Sequence, residues 1–152
     1  MITVSRRLEV NPATEATHLN KDQVWQGLVN KARNAVPYVS AISRCDVIEE
    51  QGDRLIREVE LHGETLRELI TFIPQERVEF VRISGNARGI IKNIIEEEGG
   101  NLYLRFTFDF TLVGVEANSP QEAEFAKGME AAYLAAVNST LKQMRESSSK
   151  AA

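Results

Sequence analysis

The chain has 152 residues, 43% hydrophobic and 26% charged, which suits one globular domain that buries its own core without metals or disulfides. A net charge of −4 with acidic and basic residues interspersed lacks the Lys/Arg excess that a phosphate backbone requires, so nucleic acid is not an expected partner. The single cysteine, Cys45, excludes an internal disulfide and a multi-thiolate zinc site within one chain, and no apolar run approaches the ~20 residues needed to cross a bilayer.

The N-terminus from Met1 to Arg7 lacks a basic segment followed by an apolar core and cleavage site, so a cytoplasmic protein is expected, with no membrane insertion. Val4, Leu8 and Val10 mark a first strand that Asn11-Pro12 ends. Asn20 is suited to cap a helix carrying Val24, Leu28 and Ala32 on one side, with Trp25 and Val29 alongside, which should stop near Arg33-Asn34. A short second helical turn is expected around Pro37 to Ala41. Six strand-like segments follow, near 42–50, 54–62, 64–73, 77–84, 90–97 and 101–113, and the short turns between them make neighbours antiparallel. Ser119 then caps, and Pro120 opens, a helix of about 26 residues whose side carries Phe125, Met129, Ala132, Tyr133, Ala136, Val137, Thr140 and Met144. The last six residues, Ser147 to Ala152, are small and polar and read as a flexible tail.

Turn lengths fix which side chains face each other. In the last strand Leu102, Leu104, Phe106, Phe108 and Phe110 must face the core, because Arg105, Thr107 and Asp109 cannot be buried without partners. A two-residue His62-Gly63 turn pairs Val59 with Leu66, Arg57 with Glu68 and Leu55 with Ile70. A three-residue turn at Pro74-Gln75-Glu76 pairs Phe72 with Val78, Ile70 with Phe80 and Glu68 with Arg82. A Gly99-Gly100 turn pairs Ile95 with Leu104, Asn93 with Phe106 and Ile91 with Phe108. Glu68 is thereby placed between two arginines on the concave face, and a slip of one residue would dissolve the row.

The order strand, helix pair, six strands, long helix, together with the stretches Leu19 to Asn34 and Leu66-Arg67-Glu68, resembles the SRPBCC superfamily, the START-like and birch-pollen-allergen-like proteins. More narrowly it resembles the AtaL-like branch, whose namesake belongs to a fungal secondary-metabolite cluster. The resemblance implies an α+β helix-grip fold: a curved seven-stranded antiparallel sheet, in the order β-α-α-β-β-β-β-β-β-α, around a long C-terminal helix that encloses an apolar cavity. Residues 1–146 would form this START-like ligand-binding domain and 147–152 the tail. Relatives bind lipids, steroids and polyketides, act as polyketide cyclases or dehydratases, or serve as co-chaperones, and no motif of the branch assigns a reaction. No cofactor is implied, and a homodimer is compatible with the resemblance.

Arg57, Glu68 and Arg82 are the candidate catalytic residues: guanidiniums for a carboxylate, enolate or phenolate of a mainly apolar ligand, with Glu68 orienting them or serving as a base. Two flanking cations depress a glutamate's pKa, which suits a counter-ion better than a base. The alternative is a structural salt-bridge ladder, the commoner role of such networks. Asn93 is a lone amide among apolar side chains, either a ligand contact or a satisfied core amide. Trp25, Tyr38, Phe72, Phe80, Phe106, Phe108, Met129 and Tyr133 are candidate cavity lining, with ordinary core packing as the alternative for each.

Other features carry less. His18 and His62 lack the neighbours of a metal ligand or a triad base, and no metal site is expected. Cys45 is a small hydrophobe or an unactivated thiol. Ser84 to Gly89 lacks the Lys-Ser/Thr ending of a phosphate loop and reads as a hairpin loop or a cavity lid. Three functions stay open: binding a small polyketide-, aromatic- or lipid-like molecule in secondary metabolism, cofactor-independent cyclisation or dehydration of such a molecule, and a co-chaperone-like role through the convex face.

Overall fold

The computed structural model describes residues 2–85 and 87–151. β1 (Ile2–Glu9) leads to α1 (Lys21–Arg33), then to β2 (Ile42–Gln51), β3 (Arg54–Leu61), β4 (Glu64–Ile73), β5 (Arg77–Arg82), β6 (Ala87–Glu98) and β7 (Asn101–Leu112), and α2 (Pro120–Ala151) closes the chain. The strands form one antiparallel sheet in the order β1-β7-β6-β5-β4-β3-β2, so the N-terminal strand crosses over to pair with the last. This is the helix-grip arrangement.

Caps set the helix starts. Asn20 accepts from the Gln23 amide while the Gln23 side chain accepts from the Asn20 amide, a reciprocal capping box. Ser119 Oγ accepts from the Glu122 amide at 3.2 Å. The short helical turn expected between α1 and β2 is present, closed by the Tyr38 and Val39 amides on the Ala35 carbonyl. A difference from the expected elements appears at the other end of the chain. α2 continues to Ala151 instead of ending at 146. No Gly or Pro interrupts 140–151, so nothing in the polar tail stops propagation.

The hairpin turns hold the register. His62 and Gly63 have φ of 49° and 79°, and Gly99 and Gly100 have 59° and 83°, the left-handed pairs of two-residue turns. Every pairing derived above across β3–β4, β4–β5 and β6–β7 is present. One face of the sheet contributes Leu55, Ile70, Val78, Phe80, Leu104, Phe106, Phe108 and Phe110 to the core, against Val24 and Leu28 of α1 and Val137, Leu141 and Met144 of α2. Gly27 lets the helices approach: a Cβ there would lie 2.6 Å from Met144 Cγ. The other face carries ion pairs, Arg105 with Glu96, Arg77 with Glu79 and Arg67 with Glu58. Tyr103, the one aromatic on the polar side of β7, lies under the Arg7 guanidinium at 3.9 Å.

Candidate functional site

Between α2, the end of α1 and the concave face of the sheet lies a cavity of about 380 Å³. Val39, Ile42, Val59, Phe80, Ile91, Met129 and Val137 give it apolar walls, and Lys31, Arg57, Glu68, Arg82, Asn93 and Tyr133 give it polar ones. Its lip includes exposed Phe125 of α2 and His62 at the β3–β4 turn. Ala87 also lines it, but as the first residue of β6: the strand begins three residues earlier than expected and takes up the end of the segment read as a hairpin loop or a lid. Asn86 lies outside the described residues, as do Met1 and Ala152.

The Arg57–Glu68–Arg82 row exists and faces inward, with Arg57 4% and Glu68 2% exposed. Its members are not equivalent. Arg57 donates Nε and Nη2 to Glu68 Oε1 at 3.0 and 2.8 Å, and Nη1 to the Lys31 and Ala32 carbonyls at 3.0 Å each. It therefore closes the C-terminal end of α1 and ties it to β4. Arg82 is far less satisfied: Nη2 reaches Glu68 Oε2 at 3.5 Å and Tyr133 Oη at 3.4 Å, and Nε is buried without a partner among the described residues. Its Cζ lies 5.2 Å from the Phe110 ring centroid.

Burial alone would push the Glu68 carboxyl up, but the charges of Arg57 and Arg82, with their hydrogen bonds, outweigh it and hold the group below the usual carboxylate range. Glu68 thus has the environment of an anion paired with two arginines. Tyr133 is pushed up to about 12 by desolvation, only partly offset by Arg82, so its hydroxyl keeps its proton.

Asn93 is 3% exposed and its Oδ1 accepts from Lys31 Nζ at 2.9 Å. Lys31 is the polar group that the sequence reading missed. It lies on the α1 face of Val24 and Leu28, at i+7 and i+3, and a lysine on that stripe is the signal that could have found it. Desolvation, then the Arg57 charge, bring its pKa down to about 8.

The aromatic candidates divide. Phe80, Met129 and Tyr133 line the cavity. Phe106 and Phe108 do not: both are fully buried in the core, and Phe108 stacks 4.8 Å from Tyr133. Trp25 and Phe72 pack edge to face at 6.4 Å, and Tyr38 is buried in the core. Inward-facing strand positions thus fill two zones, one pressed under helix and one left open. Cys45 Sγ lies 3.8 Å from the Arg33 carbonyl oxygen and 3.9 Å from Arg57 Nη1. His18 and His62 are exposed. Among the described residues no group of three or more His, Cys, Asp or Glu side chains is placed to hold a metal, and no helix is long and apolar enough to cross a membrane.

Residues 4–151 match the family model described as acetylaranotin biosynthesis cluster protein L. The chain belongs to the AtaL family. No functionally curated protein matches this AtaL-family chain. Solved structures share its fold at low identity. The Zhui aromatase/cyclase of a Streptomyces species is 15% identical, with 93% of this chain and 92% of that one covered and a TM-score of 0.68. The di-domain aromatase/cyclase StfQ of the steffimycin biosynthetic pathway is 11% identical over 95% of this chain and 50% of its own, with a TM-score of 0.71. A START superfamily protein of Mycobacterium smegmatis is 16% identical over 95% and 99%, with a TM-score of 0.66.

Proposed function

We propose that this AtaL-family protein binds a small, mainly apolar molecule of secondary metabolism in the cavity, and that the ligand carries an acidic oxygen: a carboxylate, an enolate or a phenolate. The observation that carries this reading is Arg82. Its side chain is 10% exposed, its Nε has no partner among the described residues, and its two hydrogen bonds are long. A guanidinium has five donors, and one this buried is short of acceptors. Arg57 and Arg82 against the single carboxylate of Glu68 leave the cavity polar wall cationic, and an anionic ligand oxygen restores the balance. The apolar walls and a volume of about 380 Å³ suit an aromatic or polyketide-like body. The family's name and the aromatase/cyclase neighbours support a place in secondary metabolism.

The test is equilibrium binding of naphthoate and of the neutral naphthalenemethanol to the wild-type protein and to Arg82→Gln. The wild type is expected to prefer the carboxylate by about tenfold or more, and the variant to lose that preference, because hydrogen bonds to a charged group are worth about 1.5–3 kcal/mol. Absence of binding by either compound, or an unchanged preference in Arg82→Gln, overturns the reading.

A second reading is favoured by the Arg82–Tyr133 pair: cofactor-independent cyclisation or dehydration of the bound molecule. Arg82 would stabilise an enolate, and the protonated Tyr133 hydroxyl, 3.4 Å from Arg82 Nη2, would donate. Glu68, held low by its two cations, suits the role of counter-ion better than that of base. Turnover of a poly-β-ketone thioester analogue, abolished in Tyr133→Phe with binding retained, distinguishes this from binding alone.

A further inference from the structure

We propose that Lys31 is a carbonyl-capturing amine, whose Nζ condenses reversibly with an aldehyde or ketone of the molecule held in the cavity to form an imine. This rests on the reading that the cavity holds an apolar ligand, and adds that the ligand carries a carbonyl group beside its acidic oxygen.

Four observations carry it. Lys31 lies on the apolar stripe of α1, is only 8% exposed and lines the cavity. Buried lysines are ordinarily paired with a carboxylate or reach out to water. Here Arg33, two residues on, reaches out and pairs with Glu50 at the surface, whereas Lys31 turns inward. Its Nζ has one hydrogen-bond partner among the described residues, the neutral oxygen of Asn93 at 2.9 Å, and no ion pair. The groups around it explain why. Glu68 of β4 is held by Arg57 of β3 and Arg82 of β5, Tyr133 of α2 keeps its proton, and the Arg57 guanidinium bonds to the carbonyl of Lys31 itself. Among the described residues no uncommitted anion remains to hold an ammonium, while Arg57 disfavours a second positive charge. Phe80 completes the apolar side, its ring centroid 5.8 Å from Nζ.

The chemistry needs nothing else. The neutral amine adds through its lone pair to the carbonyl carbon. The carbonyl oxygen then departs as water with both amine hydrogens, leaving a carbon–nitrogen double bond that water can reverse. Asn93 Oδ1, by accepting one N–H, fixes the nitrogen and the direction of its lone pair. The lowered pKa of about 8 agrees with this role, since about a tenth of the amine is then free at pH 7 and about half at pH 8.

The test incubates the full chain with naphthaldehyde and sodium cyanoborohydride at about pH 8, the lowered value given by burial. Peptide mapping by mass spectrometry then locates the reduced naphthylmethyl adduct. Lys31 is expected to label about tenfold or more faster than any of the other five lysines, Lys21, Lys92, Lys127, Lys142 and Lys150, as a desolvated amine should. Saturating naphthoate, which forms no imine, should suppress the Lys31 adduct and leave the others unchanged. In Lys31→Met, which keeps about the length of the side chain without an amine, the fast adduct should vanish. If naphthoate binds but Lys31 labels no faster than surface lysines, the imine proposal falls and the binding reading stands. If naphthoate does not bind, both fall. Fast Lys31 labelling that naphthoate fails to suppress also overturns the proposal, because the amine would then be reacting outside the ligand's site.

Discussion

Arg57 and Glu68 meet edge on, with Nε and Nη2 of the guanidinium 3.0 and 2.8 Å from the single carboxylate oxygen Oε1. The remaining Arg57 nitrogen bonds to the Lys31 and Ala32 carbonyls at 3.0 Å each, so one side chain joins β3, β4 and the end of α1. The division of labour in the cavity follows. Arg57 and Glu68 satisfy each other and form its floor, leaving Arg82 and Lys31 as the groups with donors available to a ligand.

Arg57→Ala should therefore act on stability before it acts on binding. It leaves a carboxylate that is 2% exposed with only the longer Arg82 contact and uncaps two helix carbonyls, an expected loss of about 3 kcal/mol. Combined with Glu68→Leu the loss should be smaller than the sum of the singles by about 1–3 kcal/mol, as for groups in direct contact. A double-mutant cycle in urea unfolding measures this, and additivity within about 0.5 kcal/mol would show that the pair is not coupled.

Stability should depend on pH at both ends, through different groups. Glu68 has its folded pKa depressed, so its contribution is fully present above its unfolded value near 4.5 and is lost as pH falls through the lower folded value. Glu68→Gln should flatten that acid limb. Lys31 has its folded pKa lowered from 10.5 to about 8, so the unfolded chain binds the extra proton between those values and stability rises with pH across that window. Lys31→Met should remove the alkaline rise and be the more stable protein near neutrality. A wild-type curve that falls relative to Lys31→Met from about pH 8 to about 10 would contradict the inward, unpaired lysine.

The row of charges was legible because two turns left no freedom. His62-Gly63 and Pro74-Gln75-Glu76 each set a register, and opposite side chains on one face must then meet, so Glu68 between Arg57 and Arg82 followed from counting. What each arginine does with its donors was not legible, because the acceptors for Arg57 Nη1 are backbone carbonyls of a helix distant in the chain. Depth was not legible either. Alternation along β7 shows that Phe106 and Phe108 face inward, as Phe80 does on β5, but only the path of α2 decides which faces packing and which faces space. The inward position of Lys31 was marked by its place on the Val24–Leu28 stripe, but its long-range amide partner, Asn93, is something that helical periodicity cannot supply.

Gly89 should be among the least replaceable residues of the sheet. A Cβ there would lie 1.9 Å from the Asp109 carbonyl oxygen and 2.5 Å from Phe110 Cδ1, atoms of the adjacent strand that cannot withdraw without breaking the β6–β7 pairing. Gly89→Ala is expected to destabilise by at least about 2 kcal/mol. Gly99→Ala meets nothing within 4 Å and carries only the strain of its φ of 59°, about 1 kcal/mol. Thermal or urea unfolding ranks the two, and a Gly89→Ala loss no greater than that of Gly99→Ala would mean that the strands separate more easily than their packing indicates.

The contrast between lining and core gives the sharpest test of where the ligand sits. Ala136 lines the cavity from α2, whereas Phe106 is fully buried beside it without lining it. Ala136→Phe places a ring in a space of about 380 Å³ that is already open, so naphthoate affinity should fall by about tenfold or more while stability changes by no more than about 1 kcal/mol. Phe106→Ala should do the reverse, losing about 3–5 kcal/mol through the cavity it creates in the core, with affinity within about threefold of wild type in the folded fraction. Paired unfolding and binding measurements on the two variants separate the roles. If Phe106→Ala lowers affinity as much as Ala136→Phe does, the ligand lies deeper, against β7, and the floor formed by Arg57 and Glu68 is not the polar end of its site.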